Sequence, residues 1–121
     1  MTEVPASIPA DGVQVGVLVL MPPANTDANT MDSNKAVDAA TRYGHADAGM
    51  KPTAVLADVT IPGTIPPPDT DIKWRTIQDR LAWVVTFPFS ERKDVDGFVA
   101  TAYNVVVDAE SGEFVWGFYT T

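Results

Sequence analysis

The stretch that decides the fold is Phe98-Val-Ala-Thr-Ala-Tyr-Asn-Val-Val-Val-Asp108, followed by Ala-Glu-Ser-Gly-Glu113 and Phe114-Val-Trp-Gly-Phe-Tyr-Thr120. β-Branched and aromatic residues occupy alternate positions of the first segment, a pattern that suits a pleated strand with one half-buried face. Asp108 can accept hydrogen bonds from nearby backbone N–H groups, and Gly112 can adopt a positive φ, so a tight turn is expected between the two segments. The sequence therefore predicts a C-terminal β-hairpin.

The composition of the whole chain limits the classes of protein to consider. A chain of 121 residues with 45% hydrophobic residues is expected to form one domain around one core. Its net charge of −8 disfavours contact with phosphate backbones, so no nucleic-acid partner is expected. The absence of cysteine excludes disulfides and thiolate metal sites. No apolar run reaches the roughly 20 residues that span a bilayer, so no membrane span is expected in this chain.

The first half of the chain predicts an arm, a strand and a helix. Residues 1–12 are expected to form a flexible arm, and residues 13–121 a single domain. The valine-rich run 13–21 predicts one strand, which could alternatively be a partner-binding or swapped edge. Residues 35–43 have helical spacing, with possible N-caps at 32–34 and Gly44 as the terminating residue.

The second half predicts further strands. Residues 53–61 and 81–87 alternate in the manner of strands, and Pro88 is expected to end the second one. A proline-rich insertion occupies residues 62–73, and residues 90–97 predict a charged hairpin loop. Strands beside a single helix predict an α+β fold, in which one helix packs on an antiparallel sheet of about four to five strands.

The last turn and its flanking strands resemble a known family. Trp83-Val-Val-Thr-Phe87 and the later run Val107-Asp-Ala-Glu-Ser-Gly-Glu113 are similar to PepSY and PepSY-like domains, which end in a V-D-A-x-T-G-E hairpin; here Ser111 replaces the usual threonine. The resemblance covers roughly residues 34–116, and the proline-rich insertion departs from it. It implies a secreted or lipoprotein-type domain of the bacterial cell envelope, without catalysis and in some members a peptidase propeptide or inhibitor.

The acidic residues and the single histidine are the candidate catalytic or metal-binding groups. None has the spacing of a catalytic dyad, an EF-hand calcium loop or a nucleotide-binding loop. The sequence therefore predicts no catalytic site, no metal site and no cofactor. These candidate groups are His45, Asp47, Asp58, Asp69, Asp71, Glu91, Asp94 and Asp96.

The aromatic residues of the C-terminal half give the candidate binding residues Trp74, Trp116 and Tyr119, because tryptophan and tyrosine dominate interface hot spots. The leading hypothesis is a non-catalytic protein-binding or inhibitory domain of the cell envelope, with a peptidase or another envelope protein as partner. One alternative is a cone-shaped α+β domain that binds a small molecule or acts as an enzyme, with His45 or Asp58 in its pocket. The other is a structural homodimer formed through the C-terminal edge or the edge at 13–19. An extracellular or envelope location is expected, and a cytoplasmic one stays open.

Overall fold

The computed structural model describes residues 4–24, 26, 29–44, 49–61, 77–95 and 97–120, with backbone alone at 77–78, 90–95 and 98. Neighbouring strands in the chain pair with one another, so the sheet has the order β1-β2-β3-β4-β5-β6, and every pair is antiparallel. The elements are β1 (Val13–Val15), β2 (Leu18–Met21), α1 (Ser33–Ala40), β3 (Thr53–Ile61), β4 (Ile77–Val95), β5 (Phe98–Asp108) and β6 (Phe114–Thr120).

The predicted fold class, an α+β fold with one helix on four to five strands, is wrong. The described residues are mostly strand with one short helix, and the six strands form an antiparallel sheet curled into a half-barrel. Part of the difference lies in the valine-rich run at 13–21, which is a hairpin and not one strand. Gly16, with φ of 60°, and Val17 form a turn that brings Val15 opposite Leu18. Glycine adopts this positive φ without steric cost, so the chain can reverse there.

A second difference lies in β4, which continues past Pro88 to Val95. Proline has no N–H to donate, and the pairing of β4 with β5 becomes irregular between Pro88 and Lys93. Pairing then resumes, with Lys93 opposite Ala100. The charged loop expected at 90–97 is therefore mostly strand.

One face of the sheet, the inner face, carries the larger hydrophobic cluster. Val15 and Leu18 from the first hairpin belong to the same cluster as Phe118 from the last strand. Strands at opposite ends of a sheet share a cluster only if the sheet curls, so this packing accounts for the half-barrel shape. Val4 and Ile8 from the N-terminal segment also pack against the inner face.

A fully buried Asn104 links three strands on the inner face. Its side-chain oxygen accepts a hydrogen bond from the Thr86 hydroxyl at 2.7 Å. Its side-chain nitrogen donates to the Thr120 hydroxyl at 3.0 Å and to the Phe118 carbonyl at 3.3 Å. The amide therefore has partners for both its donor and its acceptor groups, which offsets the cost of burying it.

The opposite face, the helix face, is covered by α1. Asp32 is the N-cap that precedes the helix, and its carboxylate accepts the N–H of Lys35 at 2.9 Å. Its buried residues are two alanines, so the helix can lie close to the sheet. The buried cluster on this face consists of Ala36, Ala40, Val85, Phe87, Val105 and Val107.

We predict that Asn104→Ala lowers the free energy of unfolding by about 2–4 kcal/mol, because it leaves the buried Thr120 hydroxyl and the half-buried Thr86 hydroxyl without their partner and opens a small cavity. Denaturant unfolding measures the loss. Thr53→Ala, on an exposed strand position, is the control and should change stability by less than about 0.5 kcal/mol. Equal stabilities for the two variants would contradict the role assigned to Asn104.

Candidate functional site

An apolar cleft of about 230 Å³ lies between the β1–β2 hairpin and β6. We call it the edge cleft. Val17 is 48% exposed, and Trp116 is half buried. None of the lining side chains is charged, so the cleft suits an aliphatic or aromatic group. Its lining residues are Val15, Gly16, Val17, Leu18, Trp116, Gly117 and Phe118.

The strand β6 also forms one edge of the sheet. It pairs with β5 on one side, and no described strand pairs with its other side. Alternate N–H and C=O groups on that side are therefore available to another chain. The seven residues Phe114–Thr120 contain no charge and no proline, the usual means of protecting an edge. The other edge, β1, is only three residues long.

The structure brings together two of the binding features predicted from the sequence, the edge at 13–19 and Trp116, and places Tyr119 on the other face of the sheet. Residues of the predicted edge at 13–19 line the same cleft as Trp116, although the two lie about 100 residues apart in the chain. Tyr119 is on the helix face of β6, where its ring lies 4.7 Å from that of Tyr103. Trp74 lies outside the described residues. No sequence signal links Gly16 to Trp116, so the cleft itself was not predicted.

The turn before β6 is closed by Asp108. One carboxylate oxygen accepts the N–H groups of Glu110 and Ser111, each at 2.9 Å, and the other accepts the Arg80 Nε–H at 3.0 Å. Gly112 has φ of 74°, the conformation that favours glycine. Asp108 and Gly112 therefore stabilise the turn that precedes β6.

Two groups near β6 have shifted pKa values. Burial alone would raise the pKa of Asp108, but hydrogen bonds from the Ser111 and Glu110 N–H groups and from Arg80 outweigh it and hold that pKa below its usual value. Burial, and secondarily the neighbouring Tyr119, raises the pKa of Tyr103. At neutral pH the turn therefore carries a carboxylate, and the Tyr103 hydroxyl is uncharged.

A groove of about 390 Å³ lies where α1 approaches β3 and the N-terminal segment. None of its lining side chains is titratable, and Asp58 is not among them. The alternative of a pocket built around Asp58 therefore gains no support from this groove. The lining residues are Val4, Pro5, Ala6, Ser33, Asn34, Val37, Pro52, Thr53, Ala54, Val55, Val84 and Thr86.

Asp58 lies instead in a cleft with Asp79, where its carboxylate accepts the Ala24 N–H at 3.1 Å. Asp79 donates its N–H to the Thr60 hydroxyl at 3.0 Å. No group of three potential metal ligands occurs among the residues that the structure describes. His45, Asp47, Asp69 and Asp71 fall outside those residues, as do the side chains of Glu91, Asp94 and Asp96.

Comparison with family models, with curated proteins and with solved structures finds no match. The resemblance to PepSY domains therefore stays a prediction. Across the described parts of the chain, no helix has the length and apolar character needed to cross a membrane.

We predict that Asp108 makes the stability of the fold sensitive to acid. Because its pKa is lowered in the fold, its contribution is complete above the unfolded pKa of about 3.9 and is lost as pH falls through the folded pKa. The free energy of unfolding of the unchanged chain should therefore fall more steeply on acidification below about pH 5 than that of Asp108→Asn.

Urea unfolding at a series of pH values measures both slopes. Glu110→Gln is the matched control, since it removes an exposed carboxylate of the same turn and leaves the hydrogen bonds to Asp108 in place. This control should keep the steep slope. The role of Asp108 is refuted if Asp108→Asn and the unchanged chain lose stability in parallel.

Proposed function

We propose that this chain is a non-catalytic protein-binding domain that takes up an extended segment of a partner protein along the free edge of β6. The observation that carries the proposal is the seven-residue edge Phe114–Thr120, which has no charge and no proline and lies beside the edge cleft. The free N–H and C=O groups of a strand edge are best matched by the backbone of another extended chain.

The edge cleft supplies the side-chain contact that such a segment needs for affinity. In strand addition, main-chain hydrogen bonds hold the segment, and pockets for alternate side chains give specificity. Trp116, a residue type enriched in binding hot spots, lines the cleft beside Val17. An aliphatic side chain entering the cleft would cover both, so the segment should carry such residues at alternate positions.

The resemblance of the turn at 107–113 to PepSY domains favours a peptidase or another envelope protein as the partner. The same resemblance favours an extracellular or envelope location. A partner segment held along β6 would be fixed in an extended conformation, and by this means a binding domain can act as an inhibitor.

A second copy of this chain is a poorer occupant of the edge than a different protein. Two β6 edges could pair, but each copy carries a net charge of −8, so association has to overcome their repulsion. A neutral or basic partner segment meets no such repulsion.

A synthetic eight-residue peptide, blocked at both ends, in which valine alternates with glutamine tests the proposal. It should shift the backbone amide resonances of residues 114–120 and leave those of β3 unchanged. Val17→Glu places a charge at the edge cleft and should weaken binding about tenfold or more, which corresponds to about 1.4 kcal/mol. Val99→Glu, at another exposed valine, is the matched control and should bind as the unchanged chain does.

Two results would contradict the proposal. The first is a peptide that leaves the resonances of residues 114–120 unmoved, or that binds Val17→Glu as tightly as the unchanged chain. The second is a dimer, seen by light scattering, that Val17→Glu dissociates, since this would assign the edge to a second copy. Thermal unfolding of each variant confirms that the comparison is made on folded protein.

A further inference from the structure

The strand β6 presents different side chains on its two faces. Trp116 and Phe118 point to the inner face, where both pack with the larger core cluster. The helix face carries Phe114, Gly117 and Tyr119. Their partners in β5 are Val107, Val105 and Tyr103, which belong to the buried cluster on that face or pack against it. A strand added at this edge would place alternate residues against each set.

The rings on the helix face are accessible because α1 lies against β3, β4 and β5. Phe114 is 46% exposed, and its ring lies 5.0 Å from that of Tyr43. The half-buried Tyr119 lies 4.7 Å from Tyr103 and 6.2 Å from Phe89, measured between ring centroids. The rings therefore form an aromatic row along the edge strand.

Gly117 leaves room in this row for a ring from β5, because its lack of a side chain lets Tyr103 lie over the edge strand. A Cβ at Gly117 would collide with the Tyr103 hydroxyl, so the tyrosine ring lies across the glycine backbone. The residue of an added strand opposite Gly117 would therefore lie beside the end of the Tyr103 ring. Aromatic side chains therefore lie at Phe114, over Gly117 and at Tyr119 on this side of the edge.

The charges on the edge strand's own segment, residues 98–121, are all negative. Residues 98–121 contain Asp108, Glu110 and Glu113 and no lysine or arginine. Arg80 pairs with Asp108, while Glu110 and Glu113 are exposed and form no ion pair with any described residue. Aromatic faces and carboxylates both attract cations, and here they lie together at the start of β6.

From this arrangement we infer that the aromatic row selects basic residues, so that the partner segment alternates aliphatic residues toward the edge cleft with lysine or arginine toward the helix face. The inference rests on the proposed function and specifies the chemical class of its partner. Tyr119 and Phe114 are the specificity-determining residues of the row, and Glu113 adds attraction at one end.

Three blocked eight-residue peptides, in which valine alternates with lysine, glutamine or glutamate, test the inference by titration calorimetry. The lysine peptide should bind about fivefold to tenfold more tightly than the glutamine peptide, the effect expected of one or two exposed cation–π contacts, and the glutamate peptide most weakly. Tyr119→Leu should bring the ratio for lysine over glutamine to about twofold or less. Tyr119→Phe retains the ring and should retain the ratio.

The outcomes separate this inference from the proposed function. If no peptide binds at residues 114–120, the proposed function fails. If the lysine and glutamine peptides bind there equally well, the proposed function stands and the basic partner is refuted. If the preference for lysine is the same in Tyr119→Leu, the net charge of the chain explains it, and the role of the aromatic row is refuted.

Discussion

The backbone of Met31 fixes the helix to the sheet, and the rest of the architecture depends on this connection. Its N–H donates to the carbonyl of Ala109 in the last turn at 2.8 Å, and its carbonyl accepts the indole N–H of Trp83 at 3.0 Å. Ala109 also donates its N–H to the Leu81 carbonyl at 3.2 Å. An isolated helix of eight residues is not stable in water, so these bonds and its packing on the sheet must hold it in place.

The position and short length of the helix decide which part of the sheet it covers. Gly112 lies so close to α1 that an added Cβ would come within 3.1 Å of the Ala39 Cβ, which places the last turn beside the helix. The chain leaves the helix at Ala40, and Tyr43 then contacts Phe114 at the start of β6. Farther along the helix face of β6, the Tyr119 ring packs against the rings of Tyr103 and Phe89. The short helix thus leaves an aromatic row uncovered on β6, whose outer edge pairs with no described strand.

The parts of the fold that depend on neighbouring residues could be predicted from the sequence. Alternation in β5, the Asp108 carboxylate and the glycine at 112 predicted the last hairpin, and Asp32 was among the expected helix caps. The prediction of a single strand at 13–21 was wrong because β propensity is the same for one long strand and for two short ones. The reversal there takes place at Gly16, which has a positive φ, and Val17.

The candidate site could be predicted only in part, because its two halves meet through the curl of the sheet. Alternation and aromatic character drew attention to Trp116 and Tyr119, and residues three apart in a strand lie on opposite faces. The irregular pairing between β5 and β6 at Val106 and Val107 affects Phe114 instead, because it places that ring on the face opposite to Trp116. The approach of Gly16 to Trp116 follows from five successive strand pairings. Small changes in twist at each pairing add up over the sheet, and no local pattern records their sum.

An uncharged edge strand of seven residues would ordinarily invite aggregation, and the way this chain limits that hazard bears on its function. Proline or lysine within β6 would close the edge to every partner. The chain instead has a net charge of −8 overall and exposed glutamates at 110 and 113, just before the strand. Repulsion between like charges opposes the pairing of two copies, and under the proposed function it leaves the edge open to neutral or basic segments. Under the proposed function, protection by charge outside the strand would discriminate between partners, which protection within the strand could not do.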